Sequence, residues 1–242
     1  MRRPAQTLLL TLTGAGLLHA TLLTDTYLRY VKAGLRIPLI AGGAVLLLLG
    51  LAAAVSRAGE HHPAHDGHDH SGTPRVAWLL FLPALSLLCY APPALGAYTA
   101  ARSNNKPVTV QKAAFAPLPA TSPVPLTLTD FTRRVQQDRT HAIAHRSVRL
   151  TGFVTPDPDG DGWYLTRIIF TCCAADSQTV KIRMYGGEAP PADTWLAVTG
   201  TWHPRGTLGT RTAQPALDVR QAQPIAQPVN AFTDDLPLTP SA

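Results

Sequence analysis

Cys172 and Cys173 are adjacent, follow the apolar run Ile168-Ile169-Phe170 after a single threonine, and precede the carboxylate of Asp176. Thiolates are soft ligands for zinc and copper, and a nearby carboxylate adds a third donor, so the set offers most of a tetrahedral site. Successive residues of a straight strand point to opposite faces, so the two thiols share an ion only where the chain turns at Thr171. A disulfide between neighbours is strained. Three uses stay open. The thiols serve as ligands for a divalent transition metal with Asp176, and with His203 as a further donor. They form a redox or persulfide-type site in which Arg167 or Lys181 lowers a thiol pKa. Or they are small apolar fillers at the end of a fold.

A second concentration of donors is the tract Glu60-His-His-Pro-Ala-His-Asp-Gly-His-Asp-His70, with His61, His62, His65, His68 and His70 beside Asp66 and Asp69. Imidazole suits zinc, nickel and copper, and a tract without fixed geometry suits capture and release. A solvated loop that titrates near neutrality accounts for the same composition. His141 and His145 are four apart; on a helix they share a face with Arg134 and Asp138, as a chelating pair or as a polar face in water. No Ser/His/Asp grouping, phosphate-cradling glycine loop or spaced carboxylate pair stands out, and the expectation is a protein that is not an enzyme.

The elements that hold these residues divide the chain sharply. Residues 1–101 read as a transmembrane region with spans over about 7–23, 37–55 and 76–98 and the His-rich loop at 60–70. A run of about 19 apolar residues is long enough to cross the hydrocarbon core. Tyr27, Arg29, Tyr30, Lys32 and Arg36 form an interfacial belt between the first two spans, and Pro83 with Pro92-Pro93 kinks or ends the third. Three spans put the chain ends on opposite sides, and the basic N-terminus favours a cytoplasmic start with the C-terminal domain outside.

Residues 102–126 read as a Pro-rich linker. A helix follows, with Leu128, Phe131, Val135 and Ala142 at helical spacing and Thr129 or Asp130 as its cap. Five strand-like segments then run over 147–154, 163–171, 180–185, 195–202 and 216–222, each bounded by turn residues. Short alternating strands in under about a hundred residues predict a small closed barrel of the OB type over 127–225, with 226–242 a tail. The fold class expected is therefore an α+β membrane protein: a three-helix transmembrane region followed by an OB-like β-barrel. The net charge of +6 is scattered rather than gathered in a stripe, so no nucleic-acid partner is expected.

Several segments together resemble the YcgQ-like family of bacterial permease subunits. They are Tyr30-Val31, Pro38-Leu39 and Gly42-Gly43 within 27–51, then Pro92-Pro93 with Leu95-Gly96, and above all Arg167-x-x-Phe-x-Cys-Cys-x-Ala-Asp176. Asp193-Thr-Trp195 with Val198-x-Gly200 adds to the likeness. The resemblance implies a bacterial cell-membrane protein, multi-pass, that works beside a separate multi-spanning permease subunit, in settings that respond to zinc. The expected role is an accessory permease subunit for a divalent metal or small metal-bound solute; a membrane-anchored thiol redox protein or metallochaperone is the alternative.

Overall fold

The computed structural model describes residues 3–58, 95–103, 114–157, 160 and 162–238. The His-rich loop 60–70 lies outside the described residues, as does the expected third span apart from residues 95–98. The chain divides into two units, Met1–Ala94 and Leu95–Ala242.

The first unit is a helical hairpin of α1 (Arg3–Leu18) and α2 (Arg36–Ala58). Segments Ala5–Leu23 and Ala33–Ser56 are long and apolar enough to cross a membrane. Side chains such as Ile37, Leu48 and Val55 face outward, an arrangement that suits lipid better than water. Between the helices glycine removes the obstacle to contact: a Cβ on Gly14 would sit 2.6 Å from the Leu47 amide nitrogen, and one on Gly50 2.5 Å from Thr11 Cγ2. Small residues at a seam let apolar helices pack where lipid gives no hydrophobic drive. The first apolar segment ends in a π-helical turn, His19–Leu23, where Arg36 Nε donates to the carbonyl of Thr21 at 3.1 Å.

The second unit opens with α3 (Ala97–Arg102), whose first amide, on Ala97, donates to Asp193 Oδ1 at 2.6 Å. Ala97 and Ala100 are buried, so residues 97–98, expected to finish a third span, instead begin a short helix packed on the sheet domain. A six-stranded mixed sheet follows, made of β1 (Val124–Pro125), β2 (Val148–Pro156), β3 (Trp163–Ile169), β4 (Gln178–Tyr185), β5 (Trp195–Trp202) and β6 (Ala216–Pro224). The order is β1-β2-β3-β4-β6-β5, and β5 also pairs with β2. β2 reaches both neighbours by dividing its length: Val148 to Phe153 face β5, and Phe153 to Pro156 face β3. Gly152 marks the division, where a Cβ would lie 2.6 Å from the Thr166 carbonyl oxygen.

Alternation buries Val180, Ile182 and Met184 on β4 and Leu165 on β3 against Leu150, Leu196, Val198 and Leu217. Helix α4 (Leu128–Gln137) lays Leu128, Phe131 and Val135 on the same core. Its cap is Thr127, whose Oγ1 accepts from the Asp130 amide at 3.0 Å, two or three residues earlier than the expected Thr129 or Asp130. α4 stops at Gln137, and His141 and His145 adopt left-handed φ of 54° and 58° in the loop beyond, so they share no helix face. Arg134 is not on a wetted face either. It is buried, paired with Asp130 at 2.9 Å and Asp138 at 3.5 Å, and donates to the carbonyl of Ala116.

The packed domain is wider than 127–225. Val124 and Leu126 are buried within its core. At the other end residues 228–238 fold back as a strap, with Phe232 stacked on Phe170 at 4.6 Å.

Candidate metal centre

β3 ends at Ile169, two residues short of the expected Thr171. That early stop sets the geometry of the cysteine pair, because residues 171–173 turn instead of continuing the pleat. Phe170 is pinned first: its ring stacks on Phe232 and its amide donates to the Phe232 carbonyl at 3.0 Å. The next three amides converge on one carboxylate. Asp176 Oδ1 accepts from Thr171 at 3.0 Å and Cys173 at 3.1 Å, and Oδ2 accepts from Cys172 at 2.8 Å. In return the Asp176 amide bonds back to the Cys173 side chain, a reciprocal cap on the 3-10 turn Ala174–Asp176. A carboxylate facing three consecutive amides is a stable arrangement for an anion.

The result is that the two sulfurs and a carboxylate oxygen lie within 4.8 Å of one another. Cys172 is exposed, and Cys173 and Asp176 are half-buried. Neither thiol is in a disulfide. Among the described residues no other set of three His, Cys, Asp or Glu side chains brings its ligand atoms together in this way.

The electrostatics follow from the bonding. The Cys172 thiol is pushed up to about 11, chiefly by its hydrogen bond to Asp176 and then by Cys173. Burial pulls the Asp176 carboxyl upward, but bonds from the Cys172 thiol and from the amides of Cys172, Cys173 and Thr171 outweigh it. They hold the group below the usual carboxylate range. Without a cation the thiol is a protonated donor to Asp176, a poor nucleophile whose proton occupies the space between sulfur and oxygen.

The flanking cations do not serve the thiols. Arg167 is buried and turns to the strap, donating from Nη2 to the carbonyls of Asn230 at 3.0 Å and Thr233 at 2.9 Å. Burial lowers its pKa to about 10, against the pull of Asp234 and Asp235. Lys181 donates to the Ser103 carbonyl, and burial lowers its pKa also. His203 is at the far end of β4. It stacks on Tyr185 at 3.9 Å and meets Asp218 at 2.7 Å, whereas the cysteine turn precedes Gln178. At about 3.3 Å per residue the two ends of β4 are roughly 25 Å apart. His203 is therefore no ligand beside the pair.

Sequence reasoning overlooked the strap, whose signal was Ala231-Phe232 with Val229, Leu236 and Leu238 in a segment read as a tail. It makes Arg167 and Phe170 the fixing points of the turn that carries the sulfurs.

The chain joins two helices long and apolar enough to cross a membrane to a mixed six-stranded sheet domain whose Cys172, Cys173 and Asp176 could hold a metal ion. Residues 129–233 match the family described as the DUF1980 C-terminal domain, an uncharacterised domain; this match takes in Arg167, Phe170, Cys172, Cys173, Asp176 and Phe232. No curated protein and no solved structure matches the chain.

Proposed function

We propose that the chain is a membrane-anchored accessory subunit of a two-component permease, and that its sheet domain presents a site for a divalent transition metal, zinc first, or for a small metal-bound solute. The observation that carries this reading is the convergence of the Cys172, Cys173 and Asp176 ligand atoms at the protein surface. Soft sulfur donors with one carboxylate suit zinc and its neighbours. A carboxylate set beside the two sulfurs supplies a third, hard donor that a metal uses and a dithiol redox couple does not require, which favours the ligand role.

The match to the DUF1980 C-terminal domain is consistent with the YcgQ-like resemblance, which supplies the permease context. The apolar helices support the anchor. They carry few ionisable groups, and transport paths keep such groups within the membrane, so passage of the solute falls to a multi-spanning partner. In this reading a third span, ending before residue 97, places the domain outside the bacterial cytoplasm, and the His-rich loop 60–70 buffers metal on the other side. The pairings β2–β3, β3–β4, β4–β6, β6–β5 and β5–β2 support an OB-type barrel with β1 appended.

The test joins composition to flux. The full chain extracted from membranes is expected to hold stoichiometric zinc that Cys172→Ser removes, and cells carrying it to differ in zinc flux from cells lacking it. A metal-free chain whose thiols cycle with a reductant would overturn the reading.

A further inference from the structure

The donors of the cysteine turn are unequal, and their inequality says how a cation would sit. Asp176 Oδ1 already accepts two amides, from Thr171 and Cys173, which occupies both of its lone pairs. Oδ2 accepts the Cys172 amide, and the Cys172 thiol also donates to this carboxylate. Loss of that thiol proton on metal binding would free the place beside the Cys172 sulfur for a cation. The carboxylate is thus a one-oxygen ligand, and the protein set is two sulfurs and one oxygen. His203 is engaged with Asp218 and Tyr185 at the other end of β4.

Structural zinc sites close with four protein ligands, while sites that exchange or react keep a position open. Here the open side is that of Cys172, the exposed member. The turn is also held by its own amide bonds, so its shape does not depend on an ion, and an ion can leave without unravelling it.

Resting on the metal reading above, we infer that Cys172 Sγ, Cys173 Sγ and Asp176 Oδ2 form a three-donor seat for a thiophilic d10 cation, whose fourth position takes a neutral nitrogen donor from another molecule. On loading, the two thiol protons pass to the buffer. Two thiolates and a carboxylate already over-compensate a divalent charge, so a neutral imidazole fits the fourth position better than a third thiolate. Transfer then proceeds by replacement of one ligand at a time, with an imidazole of the recipient entering before a sulfur leaves.

The experiment uses the full chain in detergent with Cys89→Ser, so that only the pair contributes sulfur, and Co2+ as the spectroscopic probe. One equivalent of Co2+ is expected to give a sulfur-to-cobalt charge-transfer band, absent in Cys172→Ser and in Cys173→Ser. Added imidazole is expected to shift the cobalt d–d bands saturably, at one imidazole per cobalt, while the charge-transfer band persists. If no sulfur band forms in the parent, the metal reading itself fails. If the band forms but two chains share one cobalt through four sulfurs, or imidazole leaves the d–d bands unmoved, the open seat is refuted and the metal reading stands.

Discussion

Arg167→Met isolates the link between the strap and the cysteine turn. Arg167 is only 4% exposed, donates twice to strap carbonyls and lies 5.4 Å from the Trp195 ring centroid. Hydrogen bonds from a charged donor contribute roughly 1.5–3 kcal/mol each. Against them stands the burial of the cation: a pKa lowered to about 10 is worth roughly 3 kcal/mol. Methionine refills the stem without the charge, so it removes both the bonds and the penalty. The difference is about 1.5 kcal/mol lost by the strap, or roughly tenfold in its opening equilibrium. Amide hydrogen exchange reads this directly, because Phe170 donates to Phe232, Thr233 to Asn230 and Leu238 to the Asn230 side chain. Those amides should exchange about tenfold faster in Arg167→Met, with Ile182 in the core unchanged. Equal acceleration at Ile182 would mean that Arg167 supports the whole domain. No change at Phe170 would mean that the strap does not hold the turn, and either result refutes the reasoning.

The pH dependence of the strap should come from Asp234. Burial raises its pKa, more than Thr129, Thr127 and the charges of Arg133 and Arg167 lower it. The folded state then binds the extra proton, so strap stability is full below about 3.8 and falls as pH rises through the raised value; Asp234→Asn should flatten that slope in hydrogen-exchange measurements. Gly152→Ala puts a Cβ against the Thr166 carbonyl and should cost about 1–3 kcal/mol, read as a lower thermal midpoint with weaker amide protection at the β2–β3 pairing. Thr127→Ala removes the cap of α4 and should cost about 1 kcal/mol; a loss under a few tenths would show that the Asp130 amide finds another acceptor. Gly14→Leu should force α1 and α2 apart, seen as a longer distance between spin labels on the two helices.

Much of the sheet was legible because each strand carries its own record of burial. Val180, Ile182 and Met184 alternate with Lys181, Arg183 and Tyr185 regardless of what the rest of the chain does, and the five strands lie within two residues of where alternation puts them. The two apolar helices were legible for the same reason. What failed to show depends on partners distant in sequence. Arg134 looks like a surface charge until Asp130, Asp138 and the Ala116 carbonyl surround it. Residues 228–238 look like a tail until Phe232 meets Phe170 and Asn230 meets Arg167. The extended helix through His141 and His145 failed because periodicity does not register a left-handed turn.

The site divides in the same way. Types and spacing drew attention to Cys172, Cys173 and Asp176, but whether the sulfurs meet depends on β3 stopping at Ile169 instead of Thr171. Strand ends are the least determined part of a pattern reading. Three amides competing for one carboxylate ended this strand, and that competition is written in Asp176 rather than in the strand itself.

The bond between Asp193 and the Ala97 amide has a mechanical corollary. Tension applied to the backbone ahead of Leu95 would reach the β-domain first at the bend before β5, where the Asp193 carboxylate acts as a rivet, ahead of the packed alanines and the Lys181 bond to Ser103. Where force enters a folded body decides which piece yields first, and here the yielding piece would be a six-residue helix, leaving the dithiol turn undisturbed.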